Sequence, residues 1–304
     1  MLKRFALSGG RLEEADDEGK VIVVVNPDES EKKYLIAEYQ VDEHTLNSAL
    51  DPDELARIEF EPRHMAFIFK RPKNYSSEDN FLFKVMSTGM FLYKDVLIIV
   101  MADEMFMFQD KIFMGSKTIQ DVFLRIIYRS IYHFLDHLKA INMISDSLEQ
   151  KVNTSMENRY LLNMFTLQKG LVYYQNAVNI NGYVIDKLKA NAKKIGFTTD
   201  NQEFLEDIII ENSQCYKQAE IYSNILASLM DARASIVSNN LNVLMKTLNI
   251  ITIAIMVPTF VVSAFSMNVD IPLQGHPFAF WIVMGLAMVM LMVFILFWKY
   301  KKWW

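Results

Sequence analysis

The feature that most constrains this chain is a stretch near its C-terminal end, Thr247–Trp298, where 52 residues carry a single formal charge, at Asp270. Within it, Leu248–Phe265 and Ala279–Trp298 hold no charged residue over 18 and 20 positions. Helices of these lengths reach about 27 and 30 Å, close to the hydrocarbon thickness of a bilayer. A pair of buried helices in a soluble domain would rarely be so long. The sequence therefore predicts a transmembrane helical hairpin joined by the loop 266–278.

Basic residues flank both predicted spans. Arg233 and Lys246 precede the first span and Lys299, Lys301 and Lys302 follow the second, whereas the connecting loop has neither Lys nor Arg. Cytoplasmic flanks of membrane helices carry an excess of basic residues. We therefore expect a multi-pass protein of the inner (plasma) membrane with both termini in the cytoplasm and the loop outside.

The long segment before the spans excludes several functions. Residues 1–246 hold 35 acidic and 28 basic side chains, so nucleic acid is not an expected partner, because phosphate contacts need a basic surface. The segment 115–118, Gly-Ser-Lys-Thr, lacks the pattern of a nucleotide-binding P-loop. No constellation typical of a catalytic nucleophile stands out, so we expect neither nucleotide binding nor enzyme activity.

Changes in the residue pattern along the chain predict three parts: a cytoplasmic α/β domain over 1–118, a helical stalk over 119–242, and the transmembrane hairpin with its basic tail over 243–304. In the first part a helix is predicted over 42–50 and a solvated loop at the acidic run 13–18. Its predicted strands are Val21–Val25, Met65–Lys70, Phe81–Ser87, Val96–Met101 and Met105–Phe108. The predicted stalk helices are Ile119–Asn153, Arg159–Lys194 and one from Gln202 that continues into the membrane.

A polar stripe runs along this last helix. In steps of three and four residues, every position along this helix is polar or methionine, and aliphatic residues such as Leu241, Val243 and Ile251 lie around these positions. The stripe consists of Asp231, Ser235, Ser238, Asn242, Met245, Asn249, Thr252, Met256, Thr259 and Ser263. Polar groups are costly in lipid, so the stripe must face another helix or water.

Small polar residues are common where membrane helices pack, which accounts for the serines and threonines. Helix packing does not account for Asn242 and Asn249 beside Met245 and Met256. A ring of such helices around a water-filled axis accounts for all four residues, because the amides would line the path and the methionines would form constrictions. Two spans cannot enclose a path, so the sequence predicts a homo-oligomer.

Directly after the first span, Ser266-Met267-Asn268 resembles the signature of the CorA family of divalent-cation channels. The resemblance extends over the whole chain and includes the segments 238–246, 256–260 and 107–110, the short outer loop and the basic C-terminal end. It implies an α+β membrane protein with an N-terminal αβα cytoplasmic domain, a long stalk helix that continues into the first of two C-terminal transmembrane helices, and a homopentameric funnel embedded in lipid.

The resemblance also implies roles for individual residues. Asn268 is expected in the outer selectivity ring with Met267, Ser266 and Asp270, and Asp231 at the cytoplasmic end of the pore. The other expected pore-lining or gating residues are Asn242, Met245, Leu248, Asn249, Thr252, Met256, Thr259 and Ser263. The expected activity is passive, potential-driven transport of Mg²⁺, or of Co²⁺ or Ni²⁺, with no cofactor other than a transported or regulatory cation.

Two departures from the family pattern bear on the ion and its regulation. Ser266 stands where the family has glycine, which leaves a Zn²⁺ or Co²⁺ transporter similar to ZntB as an alternative. Asp207 matches one member of the family's inhibitory metal site, but the partner helix reads Asn47-Ser48, so we expect weaker closure by internal Mg²⁺. A membrane-anchored scaffold that transports nothing is the alternative from another class.

Histidines give weaker signals. His133 and His137 lie four residues apart on a helix with Asp136 between them, a spacing compatible with a metal site. No third ligand is apparent, so we interpret them as a structural pair. His276, in the outer loop, could add a preference for Zn²⁺ or Ni²⁺.

Overall fold

The computed structural model describes residues 1–15, 19–76, 79–103, 111–154, 158–269 and 275–301. The predicted strand Met105–Phe108, the segment 107–110 and the candidate ion-binding residue Asp270 lie outside these ranges. The chain divides into two compact units, Met1–Met230 and Asp231–Trp304.

The first unit contains one mixed β-sheet and several helices. Its strands stand in the order β2-β1-β3-β7-β6-β5-β4, with β3 and β7 parallel and the other neighbours antiparallel. The strands are β1 (Leu2–Ser8), β2 (Arg11–Glu14), β3 (Val21–Val25), β4 (Arg57–Phe60), β5 (Met65–Pro72), β6 (Val85–Leu92) and β7 (Leu97–Met101). The helices are α1 (Glu29–Tyr39), α2 (Glu43–Ser48), α3 (Ile119–Thr154), α4 (Asn158–Ala190), α5 (Ala192–Ile195) and the first part of α6 (Thr199–Ala264).

The alternating direction of the side chains along β3 explains why this unit is built in layers. Successive side chains of a strand point to opposite faces of the sheet. Val21 and Val23 pack into a core with residues of α3, α4 and α6, whereas Ile22 and Val24 pack into a second core with residues of α1 and α2. Both faces of the sheet are therefore covered by helices, which confirms the predicted αβα domain.

Two sequence predictions in this unit are wrong. Strand β6 begins at Val85 rather than at Phe81, because Asn80 and Phe81 have φ angles of 47° and 67° and residues 79–82 form a turn closed by a hydrogen bond from Leu82 N–H to the Asp79 carbonyl. Glu13 and Glu14 belong to β2 rather than to a loop. As an edge strand, β2 leaves these charged side chains in solvent.

The helix α1 was not predicted from the sequence, although a local signal for it exists. Asp28 accepts hydrogen bonds from the N–H groups of Ser30 and Glu31, and the Glu31 side chain accepts one from Asp28 N–H. This reciprocal arrangement is a capping box, which satisfies donors that the first helical turn leaves unpaired. The hydroxyl of Ser30, which also donates to Asp28, and the N–H groups of Glu31 and Ser30 hold the pKa of Asp28 below its ordinary value.

The long helices agree with the sequence prediction, except that the predicted helix Arg159–Lys194 ends at Ala190 and is followed by the short helix α5. The helix α6 starts at Thr199, where Thr198 and Asn201 exchange side-chain to backbone hydrogen bonds, and it continues through Pro258 to Ala264. The second unit consists of the rest of α6 and of α7 (Ala279–Tyr300). Both helices contain segments long and apolar enough to cross a membrane, with mean hydropathy of 1.9 and 2.8.

Candidate ion pathway

The polar stripe of α6 is exposed along its whole length within a single chain. All ten positions from Asp231 to Ser263 are open to solvent in the second unit. Exposure inside an apolar span is unfavourable in lipid, because polar groups there lack partners. The stripe therefore requires either water or further protein beside it.

A different face of α6 carries the packed positions of this unit. Val261 is buried there, and Ala254, Pro258 and Phe265 are half-buried; on α7, Ala287 is buried. At about 100° per residue, the centre of this face lies roughly 170° around the helix from the centre of the stripe. Packing inside one chain thus leaves the stripe uncovered.

Hydroxyl groups on the stripe are oriented by the helix backbone. Thr252 Oγ1 donates to the Leu248 carbonyl at 2.9 Å, and Thr259 Oγ1 donates to the Ile255 carbonyl at 2.7 Å. A hydroxyl has one donor and two acceptor lone pairs, so each oxygen keeps only acceptor capacity for another group. Acceptors of this kind suit a cation or the water molecules around it.

The signature residues follow the end of α6. Ser266, Met267 and Asn268 are exposed, and both the N–H and the hydroxyl of Ser266 donate to the Ser263 carbonyl, at 3.1 and 2.8 Å. The backbone of Ser266 is not in the left-handed region. The serine therefore fits this turn without the conformational freedom of glycine.

His276 lies before α7 and is also exposed. Its Nδ1 accepts a hydrogen bond from Phe278 N–H at 3.2 Å, and its carbonyl accepts one from Ala279 N–H at 3.0 Å. These bonds satisfy donors at the start of α7. One ring nitrogen of His276 is thus already engaged in the protein.

The proposed inhibitory site is not assembled within one chain. Asp207 and Asn47 are exposed, whereas Ser48 is buried and its hydroxyl donates to Glu54 Oε2 at 3.2 Å. The side chain of Ser48 therefore lies in the interior of the first unit and is bonded there to Glu54. Across the described ranges, no group of three or more His, Cys, Asp or Glu side chains is placed to hold a metal. The sequence offers no signal for the contact between Ser48 and Glu54.

His133 and His137 form a hydrogen-bonded pair, as the sequence spacing suggested. Their Nε2 atoms lie 3.1 Å apart, and His137 Nδ1 lies 2.6 Å from the hydroxyl of the fully buried Tyr174. Burial lowers the pKa of His133 to about 3, with further contributions from His137, Arg129 and Arg71. Burial also lowers the pKa of His137 to about 4, although Asp136 opposes this shift. Both rings are neutral at physiological pH and serve as packing and hydrogen-bonding groups.

Comparison with known proteins identifies the family. Residues 20–301 match the family model described as CorA-like Mg2+ transporter protein. The chain is 26% identical over 268 residues to the cobalt/magnesium transport protein CorA of Methanocaldococcus jannaschii, covering 85% of this chain and 83% of that protein.

Solved structures show the same fold. The complete structure of the CorA magnesium transporter from M. jannaschii superposes with a TM-score of 0.84 at 21% identity, covering 98% of this chain and 96% of that one. The cytoplasmic domain of ZntB from Vibrio parahaemolyticus superposes with a TM-score of 0.60 at 13% identity, covering 78% and 98%. The match to the complete transporter includes the long helix and both C-terminal apolar helices.

The members of this family transport cations and are not enzymes. The match to the family model spans nearly the whole chain, including five of the seven described strands, the long helix and the apolar hairpin. The chain belongs to the CorA-like Mg²⁺ transporter family and is a divalent-cation transporter of the membrane.

Proposed function

We propose that five copies of this chain assemble around a hydrated axis lined by α6 and conduct Mg²⁺ across the inner membrane, with both termini in the cytoplasm. The observation that carries this proposal is the exposed polar stripe of α6, which lies on a face of the helix turned away from its packed face. Symmetry-related copies would bring these stripes together and remove them from lipid.

The outer entrance is assigned to Asn268, with Ser266, Met267 and Asp270 beside it. Mg²⁺ holds its octahedral water shell tightly, so amide oxygens arranged in a ring can bind the ion through that shell. The loop between the helices contains no Lys or Arg, which keeps the entrance attractive to cations. Selection at this point therefore rests on hydrogen bonds to bound water.

Beyond the entrance, polar and apolar positions alternate along the stripe. Asn242 and Asn249 offer amides to a hydrated ion, whereas Met245 and Met256 on the stripe, with Leu248 beside it, form apolar constrictions that close by loss of water. Asp231 offers a carboxylate at the cytoplasmic end. The membrane potential supplies roughly 4.6 kcal/mol per 100 mV for a divalent ion, so no nucleotide is needed.

The test is Mg²⁺ uptake by proteoliposomes under an imposed potential. We expect Asn268→Ala to lower uptake at least tenfold, because each subunit loses its amide at the entrance. Asn240→Ala is the matched control, since it removes an exposed amide of α6 that lies outside the stripe. Equal uptake by Asn268→Ala and the parent protein, or no uptake by the parent, would refute the assigned pore and favour the scaffold.

A Zn²⁺ or Co²⁺ transporter is the second candidate, and the presence of Ser266 favours it. The Ser266 hydroxyl is bonded to the Ser263 carbonyl, which leaves its oxygen as an acceptor next to the entrance. Uptake of Mg²⁺, Zn²⁺, Co²⁺ and Ni²⁺ in parallel distinguishes the candidates. For a Mg²⁺ transporter we expect Mg²⁺ to remain the preferred ion in both the parent and Ser266→Gly.

A further inference from the structure

A groove between α4 and α6 in the first unit has no role in the proposed pore. It encloses about 270 Å³. Both helices contribute residues at helical spacing, so the groove follows their line of contact. Its polar lining comprises Asn179, Tyr183, Asp186, Asn212, Ser213 and Tyr216.

Asn212 is the distinctive residue of this groove. Its side chain is only 5% exposed, and its Nδ2 donates to the Val178 carbonyl at 3.0 Å. That bond fixes which end of the amide is the oxygen. Within the described part of the chain, the buried Asn212 Oδ1 has no hydrogen-bond partner. A buried acceptor without a partner costs about 1–3 kcal/mol, so a donor that reaches this oxygen recovers that cost.

Gly182 keeps this part of the groove open. A Cβ atom at this position would lie 3.2 Å from Asn212 Nδ2. Glycine inside a helix costs about 1 kcal/mol relative to alanine, and Gly182 stands well within the 33 residues of α4. The absence of a side chain allows the Asn212 amide to approach α4 and bond to Val178.

The lining favours a cation over an anion. It supplies the carboxylate of Asp186, the amides of Asn179 and Asn212, and hydroxyl groups, and it includes no Lys, Arg or His. Oxygen donors of this kind are the ligands of hard divalent cations. Mg²⁺ is commonly held by one or two carboxylates while it keeps several of its waters.

We propose that this groove binds a partly hydrated divalent cation, with the Asp186 carboxylate as its charged ligand and Asn212 Oδ1 as acceptor for one of its waters. The cation links α4 to α6 and satisfies the buried amide oxygen. Asp207 does not line the groove, so this site is separate from the inhibitory site inferred from family resemblance.

The test uses the full-length protein in detergent, freed of metal by a chelator and titrated with Mn²⁺. Bound ion is measured from the loss of the free Mn²⁺ signal in electron paramagnetic resonance. We expect Asp186→Asn and Asn212→Leu each to lose one bound Mn²⁺ per chain, or to bind it at least tenfold more weakly. Glu203→Gln is the matched control, since it removes an exposed carboxylate of α6 outside the groove and should bind as the parent does.

Hydrogen exchange locates the effect within the chain. We expect Mg²⁺ to slow exchange in peptides that cover 178–186 and 209–216 of the parent protein, and not in Asp186→Asn. Unchanged Mn²⁺ binding by Asp186→Asn would overturn the proposal. Displacement of Mn²⁺ from this site by tetramethylammonium but not by Mg²⁺ would also overturn it, because the groove would then be a site for organic cations. Neither result depends on whether the chain conducts Mg²⁺.

Discussion

The side-chain amide of Asn181 pairs with the backbone of Lys70 as a neighbouring β-strand would. Lys70 N–H donates to Asn181 Oδ1 at 2.8 Å, and Asn181 Nδ2 donates to the Lys70 carbonyl at 2.7 Å. The antiparallel pairing of β4 with β5 ends at the pair of Arg57 and Ile68. Asn181 on α4 therefore supplies the hydrogen-bond partners for the edge of β5 beyond the end of β4.

Replacing Asn181 with leucine should destabilise the first unit by about 2–4 kcal/mol, because two backbone groups of a buried strand lose their partners. Asn181 is only 3% exposed, so water cannot readily replace the amide. The measurement is chemical unfolding followed by circular dichroism. Asn176→Leu, at an exposed position of the same helix, is the control and should change stability by less than about 0.5 kcal/mol. Equal stability of the two variants would contradict this assignment.

Acid should destabilise the first unit through His133 and His137. Their pKa values in the fold, about 3 and about 4, lie below the ordinary value of 6.5. The unfolded chain therefore takes up protons that the folded chain does not, so stability is lost as the pH falls from 6.5 towards 4. The expected slope is up to about 1.4 kcal/mol per pH unit for each histidine.

Unfolding measured between pH 7.5 and pH 4.5 checks this prediction. The double variant His133→Gln and His137→Gln should show a flatter dependence, whereas His44→Gln, at an exposed position, should follow the parent. An unchanged slope in the double variant would show that carboxylates, rather than the histidine pair, govern the loss of stability in acid.

The single cysteine makes the chain suitable for testing the stripe by thiol modification. Cys215 is fully buried, and burial together with Glu211 raises its pKa to about 12, so it should not react at neutral pH. If the stripe lines a pore, a charged thiol reagent should abolish most Mg²⁺ uptake by Thr252→Cys. Uptake by the parent and by Ile251→Cys, on another face of α6, should be unaffected. Equal inhibition of both cysteine variants would contradict a stripe-lined path.

Inhibition by internal Mg²⁺ should be weak in this protein. Asp207 is exposed, but Ser48 is buried with its hydroxyl bonded to Glu54, and a serine at this position supplies no carboxylate to a cation. We expect uptake to persist at millimolar internal Mg²⁺ and to change less than about threefold in Asp207→Ala, because Asn47 and Ser48 supply no second carboxylate to pair with Asp207. Sharp inhibition of both parent and variant would place the sensor at other residues.

Much of the candidate pathway is predictable from sequence because its signals are local. Hydrophobic length predicts both spans, and the 3.6-residue period of a helix places Asn242, Asn249 and Thr252 on one stripe. The ends of strands were less predictable. The turn at Asn80 and Phe81 depends on backbone angles that an apolar run does not reveal.

The sequence by itself determined the family, the two apolar helices and the polar stripe, because hydropathy, periodicity and motif order are properties of neighbouring residues. Only the tertiary structure decided that Ser48 bonds to Glu54, that His137 meets Tyr174, and that Asn212 is buried in a groove with an unpaired oxygen. Asn181 and Lys70 are separated by 111 positions. Contacts of this kind arise from the packing of α4 against the sheet, where burial makes each polar group find a partner at a specific place.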